Sequence, residues 1–193
     1  MNNLIRVWLS GLINPSRAFE ELKGKPAPMW GLWAVLIRFV GTSLTTILAL
    51  YLLDRVPFVP SRLTFLRAEN YYAAEIFFLP LFGLAMWLLG SALAHVVLRL
   101  AGKVSDFDQI LNIVGLGMLI PMPVVWLWDW TTIALNWYQT TVMAISHSLF
   151  ALWGVMLYSV GFKRILGLWT LLAIGLALII TGLYISLAMV FIR

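Results

Sequence analysis

The residues best able to do chemistry are few, and they sit in or beside long apolar runs. His95 and His147 are the two histidines, and paired imidazoles suggest a metal. His95 falls one turn from the end of the second apolar run, whereas His147 falls about two turns in from the opposite end of the fourth. Across roughly 30 Å of hydrocarbon they stand on the order of 15 Å apart in depth, so one ion cannot take both. Cysteine is absent, which removes thiolate ligands, thiol nucleophiles and disulfides. No carboxylate is expected at the depth of either imidazole. The two residues read as hydrogen-bonded structural histidines, with no metal and no cofactor.

Ser146, His147 and Ser148 carry hydrolase functional groups, but neighbours on a helix point apart. With no buried acid expected beside them, the chain is not expected to be an enzyme. Asp129, within Trp126-Leu127-Trp128-Asp129-Trp130, reads as a solvated acid at the outer end of the third run. Glu75 begins the second run at the same level, and both stand where a pathway mouth would be. Arg38 is the stronger signal. It lies about 12 Å inward from Trp30, with Thr42 and Thr45 four and seven residues on along one helical face. An unpaired guanidinium at that depth costs roughly 2.5 kcal/mol or more. The expected partner is an anionic lipid headgroup, or Asp106 or Asp108 in a loop on the same side; the alternative is that the side chain snorkels to the headgroups.

The elements that must position these residues follow from composition. Of 193 residues, 62% are hydrophobic and 11% charged, where soluble domains run near half and a quarter. The charges cluster between the apolar runs and mark loops. The fold class is therefore all-α, a polytopic transmembrane bundle of about five spans over residues 30–53, 71–98, 110–130, 141–162 and 165–192, since about 20 residues at 1.5 Å rise cross the hydrocarbon. Residues 30–193 form this one transmembrane domain. Residues 1–29 precede it as an amphipathic elbow: Leu4, Ile5, Trp8, Leu9, Leu12 and Ile13 make a helical stripe suited to lying in the interface. Asn14-Pro15 then caps a short second helix that Gly24 stops.

Local breaks are also readable. Pro80 should interrupt span two. In span three Pro121 and Pro123, just past Gly115 and Gly117, should break the helix and free the carbonyls of Gly117 and Leu119. The loop over residues 54–70 carries Phe58, Val59, Leu63, Phe65 and Leu66 and should skim the headgroups, and Lys163-Arg164 reads as the turn between spans four and five. The net charge of +5 is spread over loops rather than gathered on one face, which excludes nucleic acid. Arg6, Arg17, Lys23, Lys25, Arg99, Lys103, Lys163 and Arg164 share one side; Arg55, Arg62, Arg67 and Arg193 share the other. Eight basic residues against four place the N-terminus in the cytoplasm and the C-terminus outside.

Three stretches resemble the prokaryotic branch of the Yip1-domain membrane proteins: Asn14-Pro15-Ser16-Arg17-Ala18-Phe19, the loop Gly102-Lys103-Val104-Ser105-Asp106-Phe107-Asp108-Gln109, and Gly115-Leu116-Gly117 through Pro121. The resemblance spans nearly the whole chain. It implies a five-helix domain with a cytosolic N-terminus and a Gly-Tyr-x-Leu-x-Pro type sequence in span three, which here reads Gly117-Met118-Leu119-Ile120-Pro121 without the tyrosine. It also implies a membrane organiser, here in a bacterial inner membrane, with no assigned reaction. The long cytosolic tail of eukaryotic members is lacking, so their role with small GTPases is not expected. The expected function is thus non-enzymatic organisation of membrane lipids or partner proteins. The alternative is a small-solute, ion or lipid transporter or channel using the proline-kinked spans two and three. Gly90 with Ala94, and Gly182 with Ser186, are small pairs that permit a homo-oligomer or tight packing within the chain.

Overall fold

A computed structural model describes residues 2–23, 28–60 and 62–192. Gly24, the expected helix stop, lies outside the described residues, as do Lys25 and Arg193 of the charge tally. The elements are all helical: α1 (Asn2–Ile13), α2 (Pro15–Glu20), α3 (Met29–Thr42), α4 (Leu48–Leu52), α5 (Tyr71–Leu100), α6 (Phe107–Leu119), α7 (Met122–Ala134), α8 (Thr140–Leu166) and α9 (Thr170–Phe191). A π-helical turn, Ser43–Ile47, joins α3 to α4. Five stretches are long and apolar enough to cross a membrane, namely Met29–Leu52, Ala68–Leu100, Phe107–Ala134, Thr140–Leu166 and Thr170–Phe191. The third is the central one, buried along most of its length, and the fourth is almost wholly on the outside.

The elbow is built as its sequence suggests. The Asn14 side chain accepts the Arg17 N–H, with Pro15 opening α2. Its apolar stripe is divided, however. Leu4 and Val7 of α1, with Phe19 and Leu22, are buried against the bundle, while Ile5, Leu9 and Ile13 face outward. Arg6 pairs with Glu21 at 3.0 Å, and Arg164 near the end of α8 pairs with Glu20 at 3.1 Å, so the elbow is fastened to the end of span four. We call its side of the bundle the elbow face. On the far face Arg55 donates to Asn136 Oδ1 at 2.6 Å and the Phe58 ring lies 5.8 Å from that of Tyr138, which ties the first loop to the third.

Two expected breaks are corrected. α5 runs unbroken through Pro80, because a single missing donor leaves the bonds on either side to hold a transmembrane helix. The turn between spans four and five is not at Lys163-Arg164, which form the last turn of α8. Basic side chains are favoured there by the helix dipole, and the helix is ended by Gly167 in the left-handed region, φ +65°. The expected break at Pro121 is present: α6 stops at Leu119 and α7 starts at Met122, since two prolines two residues apart remove donors from successive positions of the ladder.

Spans one and three meet most closely. A side chain at Gly31 would collide with the Leu111 carbonyl, and one at Gly115 with the backbone of Gly31. The Gly31 N–H, an orphan of the first turn of α3, is satisfied from the neighbouring helix by Asn112 Oδ1 at 2.8 Å. Pro28, the preceding cap residue, supplies no side-chain bond.

Candidate functional site

Three features stand out, and the first is the interior around Arg38. Thr42 and Thr45, expected to make a polar face for the guanidinium, instead donate their hydroxyls to the carbonyls of Arg38 and Gly41 at 2.9 and 2.7 Å. Hydroxyls that take up carbonyls four residues back compete with the ladder and bend helices, and the π-turn begins at this point. Arg38 does not reach Asp106 or Asp108, nor does it turn back toward the elbow face. It donates to Tyr184 Oη at 3.2 Å and lies over the rings of Phe39 and Tyr184, 4.7 and 5.1 Å from their centroids. Tyr184 stands seven residues, about 10 Å, from the far end of α9, so the guanidinium is directed outward through the bundle. Asp106 is occupied as the cap of α6, accepting the N–H groups of Asp108 and Gln109 at 2.9 and 3.4 Å. Asp108 lies in the first turn of that helix, where the dipole favours an acid.

The π-turn turns Thr46 inward, and its hydroxyl donates to Asp129 Oδ2 at 3.2 Å. Asp129 is buried, 4% exposed, not solvated, and its Oδ1 lies 3.6 Å from His147 Nε2. The expectation that no buried acid accompanies His147 is therefore wrong. The tryptophans around Asp129 signalled an interface, whereas contacts with Thr46 and His147 from two other spans enclose its carboxylate. Glu75, expected where a pathway mouth would be, is also buried. It shares surroundings with Asp129 and Tyr72 about one phenol, that of Tyr138. Burial first, then the nearby Asp129, Tyr72 and Glu75, pushes Tyr138 well above the ordinary phenol range. His95 pairs across the elbow-face turn with Ser105 Oγ at 2.9 Å, far from His147 as expected.

The second feature is the break in span three. Pro123 leaves the Leu119 carbonyl without its helical donor, and Trp8 Nε1 of the elbow donates to it at 2.9 Å. The Trp8 ring also meets Trp126 edge-on at 6.2 Å, and Trp126 Nε1 donates to Thr42 Oγ1 at 2.9 Å. One aromatic chain thus links elbow, broken span and π-turn. Gly117 gives room for the Tyr158 ring, which a side chain there would meet at 2.6 Å.

The third feature is an apolar groove of about 840 Å³ between α5 and α9. It is lined by Phe82 and Met86 of α5, Leu187 and Phe191 of α9, and Leu63 and Leu66 of the far-face loop. It runs along α5 from Ala74 to Leu89, about 22 Å at helical rise. The Phe82 ring also lies 6.0 Å from the Tyr184 ring that receives Arg38. Leu63 and Leu66, expected to skim the headgroups, instead line this groove.

Thr46, Asn112, Tyr184 and the Asp129–His147 contact were missed. Asn112, a lone amide inside an apolar run, was the readable signal among them. Of the small pairs, Gly90 packs within the chain, where an added Cβ would meet Ile180 at 3.3 Å, whereas Gly182 has open space before it. Among the described residues no cluster of three or more potential metal ligands occurs. In comparison with known proteins, the model of the Yip1 domain matches residues 10–192. No curated protein and no solved structure matches.

Proposed function

This chain belongs to the Yip1 domain family, and we propose that it is a non-enzymatic membrane protein that organises lipid by seating an acyl chain in the groove between α5 and α9. The groove itself is the observation that supports this reading. Its volume is in the range of about 300–1,000 Å³ typical of ligand sites. Its length along α5 exceeds the roughly 15 Å that one leaflet contributes to a 30 Å core, and its walls are aliphatic and aromatic. Arg62 and Arg67 are exposed on the loop that lines its end, suited to pair with the phosphate of a headgroup above the chain. A non-enzymatic role is supported at the two serines that flank His147, since Ser146 and Ser148 already donate their hydroxyls to the Val142 and Ala144 carbonyls at 2.8 and 2.7 Å.

Filling the groove tests the reading. Ala85 lines it and is exposed, so Ala85→Trp should occupy the space without disturbing the core. Native mass spectrometry of the purified protein is expected to show retained phospholipid on the wild type and at least a threefold loss in Ala85→Trp. Equal retention by both contradicts it.

We further propose the inner membrane as location, with the elbow face cytoplasmic, supported by the excess of Lys and Arg on that face. With no native cysteine, an impermeant thiol reagent applied to intact cells is expected to label a cysteine at Asn136 and not one at Ser105. Labelling of Ser105→Cys alone contradicts it. A second reading, transport of a small solute, ion or lipid, draws support from the ionisable Arg38, Asp129 and His147 within the spans. The Leu119 carbonyl freed at the break is closed by Trp8 rather than turned into a channel, which weighs against it. Flux of ions or labelled lipid into proteoliposomes above protein-free controls would reverse the order of the two readings.

A further inference from the structure

We propose that Asp129 and His147 form a proton-binding site within the membrane, in which one exchangeable proton is held by the carboxylate or the imidazole. The other ring nitrogen fixes the tautomer. His147 Nδ1 lies 3.1 Å from the Met143 carbonyl, and a carbonyl only accepts, so Nδ1 carries a hydrogen. Ser146 Oγ, 3.4 Å from Nδ1, spends its own O–H on Val142 and is free to accept as well. In the neutral ring the lone pair is therefore on Nε2, and Nε2 faces Asp129 Oδ1 at 3.6 Å. Two electron pairs oppose each other unless a proton lies on one of them. The separation is that of an ion pair, a little beyond a direct hydrogen bond, so the proton resides on one partner at a time.

Thr46 fixes the other carboxylate oxygen and so keeps Oδ1 turned to the ring. The Asp129 side chain is 5% exposed and that of His147, on the outer surface of the bundle, 46%. Uptake of one proton forms a single N–H or O–H bond and takes the pair from a net charge of −1 to 0; release reverses both changes. A bare negative charge at that depth is costly, so the proton bears on structure. α8 packs chiefly on α9, α2 and α6; its far-face half meets α7 through Phe150, which packs on the cluster holding Met122 and Val125, and through the contact with Asp129.

The titratable and charged groups around the pair are Arg38 of α3, which acts electrostatically on the imidazole, and Tyr138 of the following loop. Tyr72 and Glu75 of α5 gather round that same phenol, and Tyr184 of α9 acts through its bond to Arg38.

The inference rests on neither functional reading. Its test is infrared and nitrogen NMR titration of the full chain in lipid nanodiscs, with His95→Gln leaving His147 as the one imidazole. The Asp129 carboxyl signal, identified by its loss in Asp129→Asn, and the His147 ring signal are expected to change with a common midpoint. His147→Gln, on the outer surface of the bundle and so mild for folding, should move the Asp129 midpoint by about one pH unit or more. An Asp129 midpoint unchanged by His147→Gln overturns the proposal. So does a pair in which neither the Asp129 carboxyl nor the His147 ring changes protonation between about pH 5 and 8.

Discussion

Replacement of Gly115 by Val is expected to abolish most of the folded protein. At this position α6 lies backbone to backbone against α3, and any side chain would enter the space of Gly31 itself, not of a flexible neighbour. Overpacking a core that can yield costs about 1–3 kcal/mol. Here the helices must separate, so the penalty should reach the top of that range or exceed it. Separation would also pull Gly31 N–H away from Asn112 Oδ1, leaving an orphan donor in a medium without water. Size-exclusion profiles and unfolding titrations of purified protein check the effect. Gly175→Val is the control, because that glycine has nothing within 4 Å and should change stability by no more than about 0.5 kcal/mol. Equal behaviour of the two variants would remove the α3–α6 contact from its place as the centre of the bundle.

Trp8→Phe should give the next largest effect. Phenylalanine keeps most of the ring packing against Trp126 but has no N–H for the Leu119 carbonyl. The expected loss is about 1–3 kcal/mol, the cost of a buried acceptor left unsatisfied. Pro123→Ala provides the discriminating background, since alanine restores the N–H that would bond Leu119 within the helix. There the penalty of Trp8→Phe should shrink by at least half, a coupling that additive effects would not produce. The same penalty in both backgrounds would mean that Trp8 acts through packing alone.

Much of the architecture was legible because the bilayer imposes it. The shortage of charge and the lengths of the apolar runs announced five spans, and Asn14-Pro15 announced the elbow by its capping chemistry. The site was less legible, for identifiable reasons. Asp129 sits among tryptophans, which is the local pattern of an interface, but Thr46, 83 residues away in sequence, and His147 on another helix enclose it. Arg38 was recognised as anomalous from its depth alone, yet its partner is a tyrosine 146 residues away. Lys163 and Arg164 looked like a loop because charge usually marks loops here; at a helix end the same charge is stabilising, and Gly167 makes the turn. The groove combines α5, α9 and a loop that has no helical period, so no single segment displayed it.

The lipid reading is tested most directly by where an acyl chain touches the protein. The chain would be reconstituted with a phospholipid carrying a photoactivatable group on its acyl tail, irradiated, and its adducts mapped by mass spectrometry. Adducts are expected to concentrate on Phe77, Leu81 and Leu89 of the groove, several-fold above those on Leu149 and Leu152 of α8, which are similarly exposed but lie outside this groove. Adducts spread evenly over both helices would contradict it.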